Sequence, residues 1–292
     1  MELMRKHRAV TVRKGRGKRS LPRPTPKAPS PATFLEGLQA SGRYTFRRTE
    51  ALKALGISRV ALKHALWRLA RAGRVAAPRR GFYVIVTPEY RAAGCPPADW
   101  FIDDLMAFLG RPYYVGLLTA AALHGAAHQA PQEFHVVTDR PLPMIERGRL
   151  RIRFVKKAHL KATPTVRVNT QTGQMRVSAP AATAFDLVRY PEHCGFLSNV
   201  ATVLHDLAEQ LDGGDLARVA ELESEVAYAQ RLGYLLELVG RAEPARPLAD
   251  WVASKAPRIV PLDPTQTMTG APRNLRWRLA VNDEVEPDQG IA

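Results

Sequence analysis

The chain has 292 residues, 46% apolar and 24% charged, ordinary proportions for a globular protein, but a formal net charge of +16 points to polyanionic partners, nucleic acid first. Its two cysteines, Cys95 and Cys194, are far apart in sequence, which excludes a disulfide framework or a cysteine metal site. No apolar run approaches the roughly 18 residues that span a bilayer, and the basic N-terminus lacks the apolar stretch of a secretory signal, so a cytoplasmic protein with reduced thiols is expected.

The charge is concentrated at one end. Residues 1–81 hold 21 of the 43 Lys and Arg but only three of the 27 acids, Glu2, Glu36 and Glu50. Such a footprint fits a nucleic-acid module joined to something else. Residues 1–30 are basic and end in alternating prolines, with almost no apolar surface to bury. They are expected to be a disordered or extended tail, either merely solvated or tracking DNA.

Residues 31–42 read as a helix stopped by Gly42, and 46–55 as a second stopped by Gly56. Ser58 then fits an N-cap, its hydroxyl satisfying an orphan backbone N–H of the next helix. Ile57 and Leu62 occupy the two positions of a hydrophobic staple around it. The third helix runs to about Ala72. At about 100° per residue, Leu62, Leu66 and Leu69 share one stripe with Ala65 beside them. Val60, His64, Trp67, Arg68 and Arg71 lie opposite, with Arg59 and Lys63 on the flank.

Two β-prone runs at 74–86 flank Pro78-Arg79-Arg80-Gly81, a hairpin signal. A capped helix with a basic outer face, followed by an arginine-tipped hairpin, is the order of a winged helix-turn-helix. Residues 31–87 are therefore expected to bind DNA. Ser58, Arg59, Lys63, His64, Trp67, Arg68 and Arg71 are its candidate groove residues, and Arg79 and Arg80 its candidate wing contacts.

Residues 88–97 read as a turn-rich linker, and 98–292 as an α+β domain. Its helices are expected at 98–109 and 113–127, and its strands at 134–138, 152–155, 166–168 and 175–177. The last three alternate apolar with basic side chains, which suggests a mixed sheet with one wet face. That face offers Arg149, Arg151, Arg153, Arg167 and Arg176 as a second basic surface. Helices follow at 180–190, 196–211, 215–228 and 229–240, then a less regular tail from 241.

The catalytic signals are weak. His124 and His128 have the i, i+4 spacing of metal ligands, but no glutamate follows the first and no third ligand is apparent. Asp103-Asp104 point about 100° apart on a helix and suit a solvated face. Gly213-Gly214 is not followed by the Lys and Ser/Thr of a phosphate loop, and no serine stands in a nucleophile elbow. Asp186 and Glu237 suit caps or salt bridges. No enzyme activity, cofactor or metal is expected.

Three blocks in the second half resemble the AbiEi family of antitoxins from type IV toxin–antitoxin systems. They are Tyr113-Tyr114-Val115-Gly116 leading through Thr119–Gly125 to the strand Phe134–Thr138; Val177-Ser178-Ala179-Pro180 leading to Thr183 and Asp186; and Arg231-Leu232-Gly233-Tyr234-Leu235-Leu236-Glu237. The resemblance runs from about residue 33 to 282. The chain departs from the family pattern at Ala181 and Ala182, where Glu and Arg are common, and at Cys194-Gly195, often a glycine pair.

The resemblance implies a winged helix-turn-helix that binds operator DNA and represses its own operon. It also implies a C-terminal domain opposing a nucleotidyltransferase-like toxin without a stable complex. The alternative is a plain winged-helix transcription factor whose second domain binds a ligand or another protein.

Overall fold

A computed structural model describes residues 29–126 and 131–288. The expected tail lies almost wholly within residues 1–28, and His128 within 127–130, so both fall outside the described residues. The architecture is α+β, with three sheets, two of them mixing or pairing distant strands.

The N-terminal unit is built from α1 (Pro31–Ala40), β1 (Thr45–Arg47), α2 (Arg48–Leu55), α3 (Arg59–Arg71), β2 (Val75–Arg79) and β3 (Phe82–Ile85). The strands form an antiparallel sheet in the order β1-β3-β2. Helices α2 and α3 meet across a turn in which Gly56 takes the left-handed conformation (φ 61°) and closes α2. The Ser58 hydroxyl accepts from the Ala61 N–H at 3.1 Å and starts α3. Leu62 and Leu66 of α3 are buried with Leu35, Leu55, Phe46 and Ile85, Ile57 packs beside them, and Ala65 is buried as well. Each fully buried leucine contributes about 1.5–3 kcal/mol relative to exposure. Residues 46–47, expected as the start of a helix, belong instead to β1, because Thr45, Phe46 and Arg47 pair with Val84, Tyr83 and Phe82.

The second unit is organised on a six-stranded mixed sheet in the order β6-β7-β5-β4-β9-β8. Its members are β4 (Tyr113–Val115), β5 (Phe134–Thr138), β6 (Ile145–Arg147), β7 (Leu150–Lys156), β8 (Thr165–Thr170) and β9 (Gly173–Ser178). Pairs β5–β7 and β4–β9 are parallel and the others antiparallel.

The helices are α4 (Ile102–Leu109), α5 (Leu117–Leu123), α6 (Pro180–Arg189), α7 (Phe196–Leu207), α8 (Gly213–Glu223), α9 (Val226–Leu238) and α10 (Ala242–Ser254). Three short strands follow, β10 (Val260–Pro261), β11 (Arg273–Asn274) and β12 (Leu279–Ala280). No helix among the described residues is long and apolar enough to cross a membrane.

Three expectations need correction here. Residues 113–115 are a strand rather than helix, as two tyrosines and a valine prefer, and the helix begins only after Gly116. Residues 242–254 form α10 rather than an irregular tail: Pro244 lies in its first turn, Pro247 stands inside it, and Ala245, Leu248 and Val252 give it a buried face.

The sheet, finally, does not have one wet face. Tyr114, Val137 and Val155 join the core built with α6, α7 and α9, whereas Tyr113, Val115, Val136, Ile152 and Val177 join a second core with α4. Successive residues of a strand point to opposite faces, so both faces of the central strands are covered.

That second core also contains Ala76, Phe82 and Val84 of the N-terminal sheet and Val86 just after it. Phe82 packs on Phe108 at 5.4 Å and on Phe101 at 6.4 Å between ring centroids. The N-terminal hairpin and the larger sheet therefore share apolar surface.

Candidate functional site

The two sides of α3 differ as its sequence pattern demands. Its leucines face the core, while Arg59, Lys63, His64, Trp67, Arg68 and Arg71 are all exposed. None of Arg59, Lys63, Arg68 and Arg71 has an ion-pair partner among the described residues. Arg71 stacks on the Trp67 ring at 5.4 Å from its centroid. Arg48, at the start of α2, adds a cation that periodicity within α3 does not reveal. With Arg59, Val60, Lys63, Trp67 and Tyr83 it lines a shallow groove of about 450 Å³. Ser58 is occupied with capping the helix.

The hairpin divides its two arginines. Arg80 stands exposed at the turn. Arg79 points into the larger domain, donating to the Pro143 carbonyl and lying 5.8 Å from the centre of the Phe154 ring. Burial, and then the nearby Arg147, lower its pKa from the usual guanidinium value. Arg147 in turn donates from Nε to the Ala77 carbonyl at 2.9 Å. The hairpin is thus tied to β6 along one side.

The arginines expected to form a second surface lie in two places. Arg151 and Arg153 are on β7 with Arg149 just before it, whereas Arg167 and Arg176 oppose each other on β8 and β9. Strands β5 and β4 stand between the two groups, a separation of about 14 Å at the usual strand spacing. Arg151 pairs with Glu146, and Arg153 grips the Glu133 carboxylate with Nε and Nη2. The expected continuous surface is therefore split, since alternation within a strand carries no information on strand order.

Three groups discarded as chemistry, Asp103, Asp104 and His124, have structural employment. Asp103 accepts from the Tyr113 hydroxyl at 2.8 Å and Asp104 from the Thr45 hydroxyl at 2.5 Å, so the second carboxylate bridges the two units. His124 donates from Nε2 to the Ser178 carbonyl at 2.8 Å. No group of three His, Cys, Asp or Glu among the described residues is arranged to hold a metal. Both thiols are buried, and burial pushes that of Cys95 up to about 12.

The feature that sequence reasoning missed is a buried ion cluster between the sheet and the helices. Lys157, just beyond β7, places Nζ 2.8 Å from Asp186 and 2.5 Å from Glu223. Arg189 reaches the other oxygen of Glu223 at 2.5 Å and Glu225 at 2.7 Å, and it stacks over Tyr228. The Tyr114 hydroxyl donates to Asp186 at 2.7 Å. These groups come from β4, the residue after β7, α6, α8 and the start of α9, so no local motif announces them. Asp186 and Glu237 do serve in ion pairs, the latter with Arg276 at 2.9 Å.

The blocks that carry the family resemblance converge here. Tyr114 meets Asp186, His124 meets Ser178, and the Ser178 hydroxyl meets Thr183 at 2.7 Å. Gly233 lies so close to the buried Trp277 ring that any side chain would collide with it.

Residues 114–238 match the family model of the AbiEi antitoxin C-terminal domain. No curated protein matches the chain. Among solved structures, the crystal structure of the RV2827C protein from Mycobacterium tuberculosis is similar over 85% of this chain and 89% of its own, with a TM-score of 0.60 and 14% identity. At that identity the likeness concerns the fold alone. The matched segment runs from β4 to the end of α9 and contains the Tyr114–Asp186–Lys157–Glu223 cluster. Over residues 114–238, then, the chain is similar to the AbiEi antitoxin C-terminal domain.

Proposed function

We propose that residues 31–87 are a winged helix-turn-helix that binds operator DNA, and that the protein both represses its own operon and acts as a type IV antitoxin against a nucleotidyltransferase-like toxin. The observation that carries the DNA half is the division of α3 into a buried leucine side and a solvent-facing cationic side. A helix seated by its apolar side and free on its basic side fits the major groove, about 12 Å wide.

In this reading Arg59, Lys63, His64, Arg68 and Arg71 approach the duplex from α3. Arg48 adds to the same field and Arg80 reaches a flanking phosphate. Arg79 holds the wing against the larger domain. The antitoxin half rests on the family domain, whose buried ion cluster fixes its sheet against its helices.

Co-expression with an adjacent nucleotidyltransferase-like reading frame tests the antitoxin half. The full chain should rescue growth; no rescue counts against that role. The full chain is the right form for this assay, because a cut near residue 97 would uncover Phe101, Ile102, Leu105 and Met106 where they pack against the hairpin. The DNA half is tested by retardation of duplexes taken from immediately upstream of the chain's own reading frame, with an unrelated duplex in competition.

A further inference from the structure

The outer side of α3 carries more than phosphate binding needs. Val60 is 65% exposed and Trp67 59% exposed. They are seven residues apart, two helical turns and about 10.5 Å along one line, with His64 between them. Arg59, Lys63 and Arg68 flank the line, all exposed and without ion-pair partners among the described residues. The stacked Arg71 fixes one side of the indole. Lys and Arg suffice to neutralise phosphates; a valine gains nothing there. On base edges in the major groove, the apolar group available to such a side chain is the C5 methyl of thymine. The N-terminal residues of a groove-bound helix are those that meet base edges, and Val60 is the second residue of α3.

We infer that Val60 and Trp67 read thymine 5-methyl groups in the major groove, about three base pairs apart at the 3.4 Å rise of B-DNA. The inference rests on the DNA-binding reading above and gives it a sequence preference. Duplex DNA is the occupant that the charge selects: a second copy laid face to face on this stripe would bring like charges together around it.

The experiment selects duplexes from a random-sequence pool with the full chain at low salt. It then compares the best duplex with the same duplex carrying deoxyuridine in place of every thymine, a change that removes only methyl groups. Affinity should fall about fourfold for each contacted methyl, the factor that one buried methyl is worth, and so roughly tenfold or more for two. Val60→Ala and Trp67→Ala should each shrink the thymine-to-uracil ratio while leaving the unfolding midpoint unchanged.

Equal affinity for both duplexes overturns the inference, as does an undiminished ratio in both variants. A concentration-dependent dimer in sedimentation that Trp67→Ala abolishes also overturns it, assigning the stripe to a second copy. If no duplex is enriched at all, the DNA-binding reading falls as well, an outcome distinct from binding without methyl discrimination.

Discussion

Lys157 and Asp186 meet at 2.8 Å with side chains 1% and 0% exposed, so the end of β7 and α6 are joined by an ion pair shielded from bulk solvent. Glu223 and Arg189 extend it, and each charge depends on the others for what it lost in leaving solvent. Removing one member of such a buried set costs about 3–5 kcal/mol, because the remaining charge stays buried and uncompensated. Lys157→Met leaves Asp186 and Glu223 facing each other without their shared cation. A urea midpoint lowered by a free-energy difference in that range is expected, with an unchanged m-value. Adding Asp186→Asn to that variant should restore part of the loss. A change below about 1 kcal/mol for Lys157→Met would mean that the cluster is more hydrated than its burial implies.

The two hairpin arginines should separate in experiment as they do in space. Arg80→Ala should weaken DNA binding and reduce the slope of log Kobs against log salt by about 0.9, the share of one phosphate contact. Arg79→Ala should leave the slope almost intact and lower thermal stability instead, since its guanidinium is engaged with Pro143 and Phe154. Calorimetry and a salt titration on the two variants decide the point. Equal slope losses would place both arginines on the duplex.

His135 gives the domain a pH dependence. Its ring is buried beside Thr119, and burial lowers its pKa from 6.5 to about 4 against the opposing pull of Glu133. The unfolded chain therefore binds more protons than the folded one between those values. Stability from this group is complete above pH 6.5 and lost as the pH falls toward 4, by an amount on the order of 3 kcal/mol. His135→Gln should flatten that part of the stability profile measured by urea unfolding. A slope that persists in the variant would assign it to other groups.

The capping hydroxyl of Ser58 offers a further check on α3. Ser58→Ala removes the acceptor for the Ala61 N–H and should cost about 1 kcal/mol, visible as a lower unfolding midpoint. Because the cap faces solvent at the start of the helix, DNA affinity should fall with it only through fraying of the first turn. Ser58→Asp should retain most of the stability.

Local chemistry made part of this fold legible and left part hidden. The Gly56-Ile57-Ser58 turn, the leucine stripe of α3 and the hairpin at Pro78–Gly81 depend on neighbours within one or two turns, and the sequence states them directly. The three-residue strands β1 and β4 are too short to show a period, and their pairing partners Phe82–Val84 and Val136–Thr138 lie well downstream. The same distance in sequence concealed the cluster of Lys157, Asp186 and Glu223. It also concealed the turn of Arg79 away from Arg80, which is set by Pro143 and Phe154 rather than by the hairpin. The arginines of β7 and β9 alternated as a wet face should, but only the strand order shows them at different ends of the sheet.

The central claim is that the outer side of α3 meets a duplex. It is tested most directly by the salt dependence of DNA binding for the full chain and for a variant with Arg59, Lys63 and Arg68 all changed to alanine. The account expects the variant to fold with an unfolding midpoint near that of the parent chain, to bind far more weakly, and to lose about 2–3 from the slope of log Kobs against log salt. A variant that binds with the parent's affinity and slope would contradict it.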